Sequence, residues 1–423
     1  MKKYRFLKQQ LPTPPKRTIV LLTGARQTGK TTLAKNKYQQ LRYINLDAPE
    51  NQEIVKKIHS DNWHKDIGNA VIDEAQKEPI VFDKIKYAYD AQKINFQVIL
   101  GSSQIMLLKK IRESLAGRIK IYEIWPLLMS EINIDADADA QNISKPLIND
   151  ILLTKDINAL LESTPSILEP AKELKLKQAE QYLLQWGGMP ALLHIPEEER
   201  WKWLKDYEYT YLERDLADLA KLNDLDPFKI YQRLAAARSG HLLNYSEIAR
   251  DAGLSTDTAR RYLEYLKLSY QIIILPPYYK NISSQIIKTP KIYWVDIGLC
   301  RQLTNNKGSD VSGHLYETMV IGEIFKWIKT AQIDASMYFY RTQAGLELDA
   351  LIETAHGFIG FEIKNKKNIA SKDTKSMRTI AKALNSKWLG GIIVYQGNTI
   401  EQITDPNIWQ IPSFQLFGDR TMP

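Results

Sequence analysis

Cysteine is almost missing from this chain: Cys300 is the only one in 423 residues. That excludes an internal disulfide and a cysteine-based zinc site. Histidine is scarce too. Its six residues are scattered without metal-ligand spacing, so His241 and His314 read as packing or surface residues. No apolar run approaches the length of a membrane span. The opening Met1-Lys2-Lys3-Tyr4-Arg5-Phe6-Leu7-Lys8 is basic and lacks the apolar core of a signal peptide. These absences lead us to expect a cytoplasmic protein with no membrane partner. Neither charge sign dominates: 57 Lys and Arg stand against 49 Asp and Glu, a net charge of +8. Such a balance permits nucleic-acid binding without requiring it. The chain is long enough for two or three domains.

What is present changes character along the chain. Strand candidates at 18–23, 42–46, 70–73, 96–101 and 119–125 alternate with helical stretches, the pattern of a parallel α/β sheet. Residues 132–170 hold the run Asp135-Ala136-Asp137-Ala138-Asp139-Ala140 with scattered Pro, Ser and Asn. The run lacks the Gly and distal Glu of a calcium loop. It reads as solvated linker within a partly helical connector. Residues 172–221 are helix-rich, broken at Gly187-Gly188-Met189-Pro190. From Tyr245 to Tyr270 the chain reads as helix-turn-helix: Ser246 to Ala252, a turn at Gly253, then a helix capped by Ser255. Ile272-Ile273-Ile274-Leu275 follows like a β-wing. Further strand candidates are 291–296, 336–341, 347–353, 358–364 and 391–395.

The sharpest motif is Gly24-Ala25-Arg26-Gln27-Thr28-Gly29-Lys30-Thr31, which fits G-x-x-x-x-G-K-[ST]. It follows the apolar Ile19-Val20-Leu21-Leu22 and precedes a helix-compatible stretch from Thr32. Strand, glycine loop and helix start make an anion cradle. Lys30 is placed to reach the β- and γ-phosphates of ATP, and the Thr31 hydroxyl to bind Mg²⁺. Ala70-Val71-Ile72-Asp73-Glu74 supplies the second motif, an apolar strand ending in Asp and Glu. Asp73 would hold Mg²⁺, and Glu74 would activate water as a general base. One helix and one strand lie between the two motifs in sequence, as in ATPases with a catalytic Glu after Walker B. A third strand, 96–100, ends in Gly101-Ser102-Ser103. Ser102 or Ser103 is either a sensor of the γ-phosphate or a plain strand-end turn. In Ser114-Leu115-Ala116-Gly117-Arg118, Arg118 is either an arginine finger or the partner of a surface carboxylate. Arg112 and Arg26 compete for the finger role, and a finger acting in trans requires a homo-oligomer.

These motifs in this order, with Ile72-Asp73-Glu74-Ala75-Gln76, resemble the prokaryotic AAA-type ATPases of the AAA_14 class that carry a C-terminal DUF4143 region. Trp186-Gly187-Gly188-Met189-Pro190, Tyr211-Leu212-Glu213-Arg214-Asp215-Leu216 and Gly313-His314-Leu315-Tyr316-Glu317 extend the resemblance over most of the chain except 132–170. It implies an α/β P-loop sheet with a helical lid, a winged helix and a restriction-endonuclease-like C-terminal fold. The expected divisions are 1–131 for the ATPase core, 132–170 for the connector and 171–225 for the lid. The winged helix would occupy 226–285 and the nuclease-like domain 286–423.

The C-terminal part carries Gly345-Leu346-Glu347-Leu348-Asp349 and Phe361-Glu362-Ile363-Lys364. Residues two apart in a strand share a face. Glu362 and Lys364 would therefore stand together, with Asp349 brought beside them by strand pairing, as in PD-(D/E)xK nucleases. Asp349 and Glu362 would hold Mg²⁺ and Lys364 position water, with Glu317 as a further acid. The other reading is a cross-face ion pair on an inactive nuclease-like fold. In the helix-turn-helix, Thr256, Asp257, Arg260 and Arg261 would face DNA if the second helix entered a groove, or the motif serves only for packing. The expected function is an Mg-dependent ATPase acting on nucleic acid or a partner. An ATP-gated nuclease and a non-catalytic assembly switch are the alternatives.

Overall fold

The computed structural model describes residues 2–101, 115–139, 142–211, 225–278, 289–341, 345–404 and 407–420. Every residue of β1 (Thr18–Thr23) is buried. Ile19 and Leu21 enter one apolar cluster while Val20 and Leu22 enter another. A strand apolar on both faces belongs inside a sheet covered on both sides. With β2 (Arg42–Asn45), β3 (Ala70–Asp73), β4 (Phe96–Gly101) and β5 (Ile119–Glu123) it forms a five-stranded sheet, order β2-β3-β4-β1-β5. All its pairings are parallel. The strand separating β1 from β3 in the sheet is β4. The one between them in sequence, β2, lies at the edge.

The segment 132–170, expected to be a partly helical connector, contains two helices that pack. Helices Leu147–Leu153 and Ile157–Glu162 bury Leu147, Ile148, Ile151, Leu152, Ile157 and Leu161. Those residues join a single apolar cluster with Tyr4 and Phe6 from the N-terminus, Trp125, Leu183, Leu266, Trp327 and Ile392. Asp135 is tied down as well, by an ion pair with Lys3 at 2.7 Å.

Helices Asp226–Ala237, Tyr245–Asp251 and Thr256–Leu268 come next. The Ser255 hydroxyl caps the last by accepting from the Thr258 N–H at 3.2 Å, and Ala259, Tyr262, Leu263 and Leu266 form its buried face. Against them lies an antiparallel sheet, order β6-β8-β7, made of β6 (His241–Leu242), β7 (Ile272–Leu275) and β8 (Lys291–Trp294). The two-residue β6 is too short to show in sequence.

The C-terminal sheet has six strands: β9 (Ala335–Arg341), β10 (Glu347–Thr354), β11 (Gly357–Lys364), β12 (Trp388–Tyr395), β13 (Glu401–Thr404) and β14 (Ile408–Pro412). Their order is β13-β14-β12-β11-β10-β9. The helix Gly313–Ala331, capped by Ser312, packs on β11 and β8.

The glycine break after helix Pro170–Trp186 is a close backbone contact. A Cβ on Gly298 would lie 2.1 Å from the Trp186 carbonyl oxygen, and one on Gly187 would lie 2.3 Å from Asp296 Oδ1. Asp296 fastens the junction, accepting from the N–H of Gly188 at 2.8 Å and of Leu299 at 3.0 Å.

Candidate functional site

The turn after β1 is shaped by two glycines. Gly24 has φ +150°, and a Cβ there would sit 2.1 Å from the Ile124 carbonyl oxygen, so only glycine fits. Gly29, at φ +96°, opens the helix Lys30–Lys37. Backbone amides at such a helix start face outward, ready for an anion. The Lys30 side chain is buried, and its Nζ donates to the carbonyls of Gly24 at 2.9 Å and Ala25 at 2.6 Å.

The two motifs meet at one carboxylate. Thr31 Oγ1 donates to Asp73 Oδ2 at 2.7 Å, and Tyr43 Oη, from β2, donates to the same oxygen at 2.6 Å. The register Asn45↔Asp73 brings the ends of β2 and β3 level. Sequence reading missed Tyr43, because nothing local marks a tyrosine two residues before a strand end as a Walker B partner. Burial, then the hydrogen bond to Asp73, pushes its phenol well above the usual range. A hydroxyl and a carboxylate converging at the end of two adjacent motifs is a donor set that fits Mg²⁺.

Glu74 follows in a left-handed conformation, φ +53°. That geometry is uncommon outside glycine and concentrates at functional sites. Gln76 Nε2 donates to Glu74 Oε2. Burial raises the Glu74 pKa above the ordinary carboxylate value, and the neighbouring Asp73 and Asp47 add to it.

Around these residues lies a pocket of about 720 Å³. Gln27, Gly29, Lys30, Thr31, Thr32 and Glu74 line one side. The rest comes from segments that sequence reading did not assign to the site: Lys2, Lys3, Arg5 and Lys8 from the N-terminus, and Pro190, Ala191, His194 and Thr210 from the helical segment after the glycine break. Arg5 Nη1 donates to the Thr28 carbonyl at 2.9 Å, and its Nη2 donates to that of Trp125. Its Nε lies 3.1 Å from Glu131 Oε2. Tyr207 Oη donates to the Arg26 carbonyl at 3.2 Å. The P-loop is thus held from two sides by elements distant in sequence.

Arg118 stands elsewhere. It forms a bidentate pair with Asp90, at 2.6 Å and 2.9 Å, and its carbonyl accepts from Ile19 N at the start of β1. The P-loop follows the other end of β1. Ser102, Ser103 and Arg112 lie outside the described residues, as do Leu212 to Leu216. Gly101, just before the serines, pairs with Thr23, just before the P-loop.

The second expected constellation also assembles. Asp349 Oδ2 accepts from Ile363 N at 2.8 Å, and Lys364 Nζ lies 2.6 Å from Glu362 Oε1. Glu317 Oε1 accepts from Tyr293 Oη at 2.6 Å. Burial raises the carboxyl of Asp349 well above the ordinary range and that of Glu362 above it. Repulsion from Glu362 adds to the Asp349 shift, and repulsion from Glu317 adds to both. Among the described residues, no three His, Cys, Asp or Glu side chains form a metal-holding group.

In the helix-turn-helix, Asp257, Arg260 and Arg261 are exposed and Thr256 is half-buried. The Arg260 guanidinium lies over the Tyr245 ring. The rings of His241 and His314 face each other at 4.0 Å. Burial, then His241, holds the His314 pKa below its ordinary value.

A five-stranded parallel sheet carrying a P-loop and an Asp-Glu strand end has the architecture of a P-loop ATPase. Family models agree: residues 16–133 match an AAA domain of the AAA_14 class, 176–310 a domain of unknown function (DUF8612) and 312–414 a domain of unknown function (DUF4143). The chain therefore joins a region that matches the AAA_14 AAA domain to a C-terminal region that matches DUF4143. It is 26% identical over 405 residues to the uncharacterized protein Rv2008c of Mycobacterium tuberculosis, covering 94% of this chain and 80% of that one. It is 23% identical over 420 residues to the uncharacterized protein MJ1637 of Methanocaldococcus jannaschii, covering 91% and 83%. A solved structure, the Walker-type ATPase PABY2304 of Pyrococcus abyssi, aligns at 14% identity over 72% of this chain and 98% of that one, with a TM-score of 0.43.

Proposed function

We infer that this protein binds Mg-ATP at the P-loop pocket, hydrolyses it, and uses the nucleotide to control its C-terminal part. The observation that carries this is the 2.7 Å contact between Thr31 and Asp73, which unites the two motifs beside Lys30 and Glu74. Phosphate oxygens would compete with the Gly24 and Ala25 carbonyls for the Lys30 ammonium. Gly24, Ala25, Arg26, Gln27, Thr28, Gly29 and Thr32 supply the backbone cradle and its start. Thr31 and Asp73 are the residues that would hold Mg²⁺, which supplies charge neutralisation at the β- and γ-phosphates. Glu74 takes the proton from the attacking water. Its raised pKa makes it a stronger base than an exposed glutamate.

The nucleotide's reach beyond the pocket is supported by the Arg5 and Tyr207 contacts. Loading the P-loop would be felt by the N-terminal strap and by the helix Glu197–Tyr211. We assign the lid role to residues 171–225 and winged-helix character to 226–285, with DNA or RNA as a partner that the basic charge permits. Ser102 or Ser103 is the γ-phosphate sensor that the Thr23↔Gly101 register favours. A finger from Arg118 would have to act in trans within a homo-oligomer, after leaving Asp90. The test is ATP binding and turnover by Lys30→Ala. Loss of both supports the reading, and unchanged values refute it.

A further inference from the structure

The nuclease-like fold that the sequence resembles implies a divalent metal between Asp349 and Glu362. The side chains present do not fit one, because Lys291 already stands against Asp349 and its acidic neighbours. Lys291 is the first residue of β8, in the sheet of the helix-turn-helix unit, where it pairs with Leu275 and Leu242. Its side chain is only 5% exposed and crosses into the acidic cluster of the six-stranded sheet. Nζ lies 2.6 Å from Glu347 Oε1, 3.1 Å from Glu317 Oε1 and 3.8 Å from Asp349 Oδ1.

Glu362 Oε2 is buried without a hydrogen-bond partner, while the other oxygens are engaged by protein groups. Asp349 Oδ2 takes the Ile363 N–H, Glu362 Oε1 takes Lys364, and Glu347 Oε2 lies 3.4 Å from Arg341. Glu317 Oε1 also accepts from Tyr293, and Glu317 Oε2 faces His314 at 3.9 Å. A magnesium or manganese ion needs near-octahedral oxygen ligands at about 2.0–2.1 Å, several of them water. An ammonium within ion-pair distance of Glu317, Glu347 and Asp349 brings positive charge into the cluster and stands against Asp349 Oδ1, an oxygen a metal would need.

We propose that Lys291 is the resident cation of this cluster, so that the C-terminal unit takes no divalent metal and cuts no phosphodiester. The cluster then serves as a socket. The lysine of one unit plugs the acidic cleft of the other and fixes the helix-turn-helix sheet to the six-stranded sheet. The backbone continues the seam: Phe339 N donates to the Pro276 carbonyl at 3.0 Å and Tyr278 N to that of Phe339 at 2.7 Å. A buried charge of this kind persists because carboxylates stand against it, and removing one side leaves the other uncompensated.

The test is Mn²⁺ uptake by the full chain, read by electron paramagnetic resonance of the free ion. It uses an Asp73→Asn background that removes the metal residue of the nucleotide site. With Lys291 in place, no uptake that depends on Asp349 is expected, and Mn²⁺ with DNA or RNA should give no Asp349-dependent cutting. Lys291→Gln should gain one Mn²⁺ site, and adding Asp349→Asn should remove it. An Asp349-dependent site or cut in the chain that keeps Lys291 overturns the proposal. So does a folded Lys291→Gln chain that gains no site. If Lys291→Gln does not fold, the measurement with Lys291 in place decides alone. None of these readings depends on ATP turnover, so failure here is distinct from failure of the ATPase assignment.

Discussion

Arg5 reaches across 23 positions of sequence to donate to the Thr28 carbonyl inside the P-loop, while its Nε pairs with the buried Glu131. Glu131 is itself fixed by the N–H groups of Phe6 and Leu128. Truncating Arg5 would leave that carboxylate buried without its cation. Arg5→Ala should destabilise the chain by about 3 kcal/mol and weaken ATP binding. Denaturant unfolding and nucleotide titration check this. Arg5→Ala with Glu131→Ala should lose less than the two single losses combined, as expected for partners in contact.

Tyr43 predicts an effect on metal dependence. Its hydroxyl and that of Thr31 share Asp73 Oδ2. Tyr43→Phe removes a hydrogen bond to a charged group, worth about 1.5 kcal/mol. The Mg²⁺ concentration that half-saturates turnover should rise roughly tenfold, with the fold unchanged by circular dichroism.

The pH profile follows from Glu74. Burial lifts its carboxyl above the ordinary value, and the base must be ionised to act. The acid limb of ATP turnover should therefore lie above the usual carboxylate range. An acid limb at the value of an exposed glutamate would count against Glu74 as the base.

Glu180 gives a stability prediction. It is buried, its carboxyl accepts from the Ser413 hydroxyl, and burial raises its pKa from 4.5 to about 7. The folded state thus keeps a proton that the unfolded state releases between those values. Stability should fall as pH rises through that window, by at most roughly 3 kcal/mol from this group. Glu180→Gln should lose that slope, and its advantage over the parent should appear above pH 7 in denaturant unfolding.

The packed 147–161 segment predicts that Leu152→Ala costs about 2–5 kcal/mol. A linker residue would cost almost nothing.

Local patterns made part of the molecule legible. The five parallel strands, the P-loop, Asp73-Glu74 and the Ser255 cap each depend on a few adjacent residues and could be read directly. Tyr43, Arg5 and Tyr207 could not, because each acts on the P-loop through a contact that only the assembled fold creates. The same holds for Lys291. As one lysine at the head of a short strand it carries no signal, and it becomes informative only when β8 brings it against Glu317 and Glu347. The partly helical character of 132–170 was legible, but the burial of Leu147, Ile148, Ile151 and Leu152 was not, because their partners come from distant segments.

Glu74→Gln tests the central claim most directly, with ATP binding and ATP turnover measured on the same purified protein with Mg²⁺. The substitution keeps the shape of the side chain and removes the base. Binding should survive while turnover falls by about 10²-fold or more. Turnover equal to that of the parent chain would contradict the account.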